Sequence, residues 1–133
     1  MRLLLDTHIF LWFISADKRL KQGLTAAIRD PANDVYLSTV SVWEAIVKHQ
    51  IGKLPLPQPP ETYLPQQRVL HRISSLMVDE ASVAQLGSLP SIHRDPFDRM
   101  LICQAIEHDL TFVTMDSAIP FLSRNRDGCW LAD

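Results

Sequence analysis

Short apolar runs alternate along this chain with stretches of helical period, and that alternation narrows its folding options more than any other feature. The segment Arg2–Leu5 is apolar after its first residue and stops at Asp6-Thr7-His8. Ile9, Phe10, Trp12 and Phe13 follow at spacings that share one helix face. Four residues are too few for a helix, so the pattern predicts strand, turn, helix. A second helical stretch over 20–29 is stopped by Asp30-Pro31 and the polar Ala32-Asn33-Asp34. Residues 35–37 then predict a brief strand. Ser38 and Thr39 are suited to cap a helix that carries Val42, Trp43, Ala45, Ile46 and Val47 and ends near Gly52.

Residues 54–60 hold four of the nine prolines and can be neither regular helix nor central strand, so they form a stiff connector. Beyond it the pattern predicts a helix over 61–72, a strand over 73–78 and a short helix over 79–86. A loop over 88–94 leads to a strong helix opened by Asp95-Pro96 and running to His108. A fourth strand over 110–114, a short helix over 117–122 and an edge strand over 129–131 complete the reading. Strands and helices in turn argue for an α/β fold, a central parallel sheet of four to five strands flanked by helices. Ligands of such sheets bind beyond the carboxyl ends of the strands, near the point where strand order reverses.

The chain of 133 residues suits one domain over 1–133, long enough to bury about two-thirds of the surface its unfolded form exposes. Apolar residues at 47% and charged ones at 21% exclude intrinsic disorder. Its longest apolar stretch is broken by Asp6 and His8, which argues against a membrane span and a signal peptide and places the protein in the cytoplasm. The two cysteines, Cys103 and Cys129, have no metal-like spacing and read as buried thiols. A net charge of −2 counts against a non-specific nucleic-acid coat but not against a nuclease, whose carboxylates meet phosphate through cations.

Four acids stand at strand ends or early in helices: Asp6, Glu44, Asp98 and Asp116. Each has a local explanation. Asp6 and Asp116 can cap the helices that follow them, Asp95 is a better cap still with Pro96 behind it, and Glu44 can form a solvated i,i+4 pair with Lys48. Together they say more, because an α/β sheet brings all four toward one edge. Two carboxylates about 6 Å apart repel by roughly 3 kcal/mol at an effective dielectric near 20. A fold that gathers them implies a counter-charge, and oxygen ligands without a His or Cys cluster select Mg²⁺ or Mn²⁺ over zinc.

Leu5-Asp6-Thr7, Ser41-Val42-Trp43-Glu44-Ala45, His93-Arg94-Asp95-Pro96-Phe97-Asp98-Arg99 and Val113-Thr114-Met115-Asp116, in this order, resemble the PIN domain across essentially the whole chain. The third string is similar to one recurrent in VapC-type bacterial toxins. The resemblance implies a metal-dependent ribonuclease with Asp6, Glu44, Asp98 and Asp116 as catalytic metal ligands for Mg²⁺ or Mn²⁺. Thr7, Asp95 and Thr114 match auxiliary positions, while His8 and His93 read as structural or substrate-facing. It also implies an RNA substrate cut to a 5′-phosphate and a 3′-hydroxyl, a cognate antitoxin and a homodimer. Phe10, Trp12, Phe13, Trp43 and Tyr63 are either core or a docking surface for that partner. Two other readings compete: a silent binding module on the same scaffold, and a haloacid-dehalogenase-like phosphatase. The second lacks its expected aspartate two residues after Asp6, where His8 stands.

Overall fold

Three consecutive leucines cannot all point to one side of a strand, so β1 (Arg2–Leu5) must bury both faces. It does: Leu3, Leu4 and Leu5 have no exposed surface. The computed structural model describes residues 1–90 and 95–115, and the backbone of 130–132. In it β1 pairs in parallel with β2 (Asp34–Ser38) on one side and, on the other, with a strand late in the chain. With β3 (Ser74–Leu76), β4 (Thr111–Thr114) and β5 (Trp130–Ala132), the sheet has five strands in the order β3-β2-β1-β4-β5, every pair parallel.

Parallel neighbours need crossover connections, and helices provide them. Between β1 and β2 lie α1 (Thr7–Ile14) and α2 (Gln22–Arg29), and between β2 and β3 lie α3 (Thr39–Gln50) and α4 (Pro60–Leu70). From β3 to β4 the chain runs through α5 (Glu80–Ala84), a 3-10 turn at Gln85–Gly87, and α6 (Pro96–Glu107). The period-2 alternation of the strands divides the interior into two cores. Leu3, Leu5, Val35, Leu37 and Val113 pack with α1, α2 and α4 on one face. Leu4 and Phe112 pack with Leu101, Ile102 and Ala105 of α6 on the other. Among the described residues no helix is long and apolar enough to cross a membrane.

The predicted strand over 73–78 shrinks to Ser74–Leu76 because, among the described residues, it has a partner on one side only. Leu76 pairs with Ser38, the last residue of β2, where the chain turns into α3 and the ladder ends. The predicted helix over 79–86 divides into α5 and the 3-10 turn. The predicted helix over 117–122 and Cys129 lie outside the described residues, as does much of the predicted loop before Asp95.

Helix α3 ends in a left-handed turn. Gly52 has φ +76, its N–H bonds to the His49 carbonyl at 3.1 Å, and the Lys53 N–H bonds to the Lys48 carbonyl at 2.9 Å. This is the Schellman pattern, which needs a left-handed residue at that position. Gly52→Ala has room for its methyl but not a relaxed backbone, so it should lower stability by about 1 kcal/mol. Gly23→Ala, in α2 with equal room and an ordinary backbone, should raise it by about 0.5 kcal/mol. Denaturant melts of the two variants would check the opposite signs.

Candidate active site

The strand order reverses beside β1: the chain moves from β1 outward through β2 and β3, then returns to place β4 on the other flank. A crevice at the carboxyl ends of β1 and β4 follows from that topology. Asp6 is the first residue past β1 and the N-cap of α1. Its Oδ1 accepts the Thr7 N–H at 2.7 Å, and its Oδ2 accepts the Thr114 hydroxyl, at the end of β4, at 2.9 Å. The cap thus ties the two strands together across the reversal, and both Asp6 and Thr114 are buried.

Glu44 enters the same crevice from the second turn of α3 and is only 2% exposed. The solvated pair with Lys48 expected from the sequence is therefore not solvated at the glutamate end. Lys48 does donate to Glu44 Oε2, while the Thr7 hydroxyl lies 2.7 Å from Glu44 Oε1 and 2.8 Å from Ser41 Oγ. A carboxylate can only accept, so Thr7 gives its one proton to Glu44 and Ser41 donates to Thr7. Both oxygens of Glu44 are held.

The third contribution comes from the start of α6. Asp95 caps that helix, accepting the Asp98 N–H at 2.8 Å, with Pro96 at the first helical position and Asp98 in the first turn. Carboxylate oxygens of Glu44, Asp95 and Asp98 lie within 4.8 Å of one another. These three and Asp6 line one cleft of about 290 Å³, together with His8, Trp12, Lys48 and Met115. An all-oxygen donor set of this kind fits a hard divalent cation. Asp116 and His93 lie outside the described residues.

Two groups were not singled out from the sequence, Ser41 and Lys48 as a member of the site. The i,i+4 spacing of Glu44 and Lys48 carried the signal for the lysine, but the burial of Glu44 that gives it weight is a tertiary fact. Burial opposes the charge of Lys48, yet the hydrogen bond to Glu44 and the charges of Glu44, Asp95 and Asp98 outweigh it and raise its pKa above the ordinary 10.5. The five aromatics divide between the two readings. Phe10 and Phe13 are core, Trp12 and Tyr63 are half-buried, and Trp43 is 57% exposed with its ring edge-to-face against Phe97.

Asp6 carries an electrostatic penalty. Burial raises its pKa above the ordinary 3.8 and Glu44 adds to the effect, while Thr114, His8 and the Thr7 N–H oppose it without cancelling it. A raised folded-state pKa stabilises the fold below the unfolded value, and that contribution is lost as pH rises through the folded one. In chelator, Asp6→Asn should therefore melt above wild type at neutral pH, with the gap closing as pH falls toward 3.8. Thermal melts across that pH range would show it, and a gap independent of pH would count against a charge penalty at Asp6.

Comparison with known proteins agrees with this geometry. Ribonuclease VapC22 of Mycobacterium tuberculosis is 27% identical over 114 residues, 85% of this chain and 85% of that protein. Ribonuclease VapC16 of the same organism is 37% identical over 59 residues, which spans 44% of this chain and 42% of that protein. VapBC2 from Rickettsia felis, solved bound to a DNA fragment from its promoter, shares the fold at a TM-score of 0.69 with 15% identity, covering 100% of this chain and 98% of that one. The PIN domain model matches residues 3–124, from the start of β1 to beyond β4, and the protein accordingly belongs to the PIN domain family.

Proposed function

We propose that this protein is a divalent-metal-dependent endoribonuclease of the VapC type, the toxin half of a toxin–antitoxin pair. The observation that carries the reading is the convergence of Glu44, Asp95 and Asp98 beside Asp6 at the strand-order reversal of a PIN domain chain. The names of its relatives support the activity. Family membership also removes the phosphatase alternative.

Asp6, Glu44, Asp98 and Asp116 are the proposed ligands of Mg²⁺ or Mn²⁺, with Asp95 close enough to Glu44 and Asp98 to join them. When bound, such an ion polarises a phosphodiester, lowers the pKa of water and steadies the leaving oxygen. The chain's own groups do the positioning. Thr7 fixes Glu44 Oε1, Thr114 fixes Asp6 Oδ2, and the helix starts at α1 and α6 hold Asp6 and Asp95 by backbone N–H donors. Each carboxylate oxygen has a second lone pair beyond the one these donors use. Glu44 completes the ligand set or helps orient the attacking water and accept its proton. The water oxygen bonds to phosphorus as the P–O3′ bond breaks, solvent protonates the leaving 3′-oxygen, and RNA is cut to a 5′-phosphate and a 3′-hydroxyl without use of the 2′-hydroxyl.

Mn²⁺ or Mg²⁺ should raise the melting temperature, because an ion that binds the folded site alone stabilises by roughly 2.7 kcal/mol at about a hundredfold excess over its Kd. Cleavage of mixed cellular RNA should stop on chelation and fall at least about 100-fold in Asp6→Asn or Asp98→Asn, with the fold retained by circular dichroism. Full Mg²⁺-dependent activity in both variants would show the site to be misassigned.

The partner and the dimer belong to the same proposal. Exposed Trp43 borders a groove of about 370 Å³ with Leu37, Val42, Ile46 and Pro65, one helix face away from the acids. An antitoxin segment that laid apolar residues there and reached into the cleft with a basic side chain would neutralise the carboxylates and silence the enzyme. Expression alone should arrest growth, and co-expression with the adjacent short reading frame should restore it; sedimentation should give a homodimer. A monomer that is harmless alone and copurifies with nothing would sink the partner proposal while leaving the nuclease standing.

A further inference from the structure

A second cleft, of about 460 Å³, opens beside the acidic one and shares a wall with it. His8 and Trp12, one turn apart on α1, line both. Trp12 is half-buried and His8 exposed, and their rings are nearly parallel at 15° with centroids 6.2 Å apart. Arg19 lines the second cleft and sets its guanidinium over the Trp12 ring, 4.9 Å from the centroid. Asp17 locks it there through Nε to Oδ1 at 3.1 Å and Nη2 to Oδ2 at 2.7 Å. Lys53, delivered by the left-handed turn at Gly52, lines the same cleft, is exposed, and among the described residues pairs with no acid. Tyr63 adds a half-buried ring.

Trp12 and Tyr63 pack against the edge of the core and His8 lies near Asp6, but Arg19 and Lys53 are exposed and belong to neither the core nor the acidic cleft. Aromatic faces beside fixed cations are what binds single-stranded nucleic acid, bases stacking on rings and phosphates meeting charge. Leu11, Ile14, Leu54 and Leu56 line the rest of the cleft and offer apolar surface to a base; what favours a nucleotide over an apolar protein segment is the pair of cations, Arg19 and Lys53. The shared wall supplies the geometry: a strand with one phosphate over the acids passes its next nucleotide across His8 and Trp12.

Resting on the ribonuclease reading, we infer that this cleft is a nucleotide subsite for single-stranded RNA, taking the base beside the scissile phosphate against Trp12 and the following phosphate at Lys53 and Arg19. Lys53, and Arg19 beside its partner Asp17, place positive charge next to the acidic cleft of a chain whose net charge is −2.

The test uses fluorescein-labelled short single-stranded RNA of mixed sequence, titrated in Mg²⁺ with the cleavage-deficient Asp6→Asn protein and followed by anisotropy. Adding Trp12→Leu should weaken binding about tenfold, and Trp12→Phe, which keeps a stacking face, should stay within about twofold. Because Trp12 is half-buried, the exposed changes Lys53→Glu and Arg19→Glu give the independent reading: each should weaken binding and flatten its salt dependence, and Lys53→Glu, which breaks no ion pair among the described residues, should leave the melting temperature unchanged. In the otherwise wild-type enzyme the same changes should raise KM more than they lower kcat. Unaltered affinity in all of them, while wild type still cleaves, would overturn the subsite and leave the nuclease intact. Variants that bind RNA normally yet escape the antitoxin would assign the cleft to the partner and overturn it too. A wild-type protein that neither cleaves nor binds RNA would overturn the ribonuclease reading, and this inference with it.

Discussion

Four carboxylates, Asp6, Glu44, Asp95 and Asp98, face one small cleft, and the repulsion among them is the constraint around which their surroundings are arranged. At the 4.8 Å that bounds the Glu44, Asp95 and Asp98 oxygens, one pair of unit charges costs roughly 3 kcal/mol at an effective dielectric of 20. Several groups of the fold offset this. Lys48 brings a positive charge to Glu44, hydroxyls of Thr7 and Thr114 donate to Glu44 and Asp6, and the N-termini of α1 and α6 present backbone N–H groups to Asp6 and Asp95. Burial raises the pKa of Asp6 despite this help, so part of the penalty stays in the native state. A divalent cation would relieve it, which couples ion binding to stability.

Helix capping and the proposed metal site draw on the same side chains. Asp95 is an ordinary N-cap, accepting the N–H of the third helical residue, and Asp6 caps α1 through the N–H of its first; the sequence alone leaves capping as a sufficient account of each. In the folded chain the cap is what aims the side chain. A carboxylate bonded to the first turn of a helix has its remaining lone pairs directed away from that helix, and the sheet places both helix starts at the carboxyl edge where strand order reverses.

Helix α3 links the acidic cleft to its surroundings. Glu44 and Lys48, one turn apart, turn inward to the acids, and Trp43, on a neighbouring line of the helix, faces out beside the apolar groove. The left-handed turn at Gly52 then reverses the chain and sets Lys53 in the adjoining cleft with Arg19 and Trp12. One helix and its terminating glycine therefore place an acid, its counter-charge, an aromatic beside the apolar groove and a cation in the adjoining cleft.

The sequence by itself determined the class of fold and those element ends that carry a capping or terminating residue. Three successive leucines demand a strand buried on both faces, 3.6-residue periods mark the helices, and Ser38, Asp95 and Gly52 announce where helices start and stop through bonds to atoms a few residues away. It also brought Asp6, Glu44 and Asp98 to notice as residues at strand ends and helix starts. Only the tertiary structure decided what those acids meet. That Glu44 is buried, that Thr7 holds one of its oxygens, that Asp95 stands with Glu44 and Asp98, and that Phe10 and Phe13 are core while Trp43 is exposed all depend on contacts between distant segments. The Thr114 bond to Asp6 spans 108 positions of the chain. Hydrogen bonding along a helix or strand is local and leaves a periodic trace in the sequence; burial and charge compensation depend on which faces the crossovers bring together, and no single segment records that.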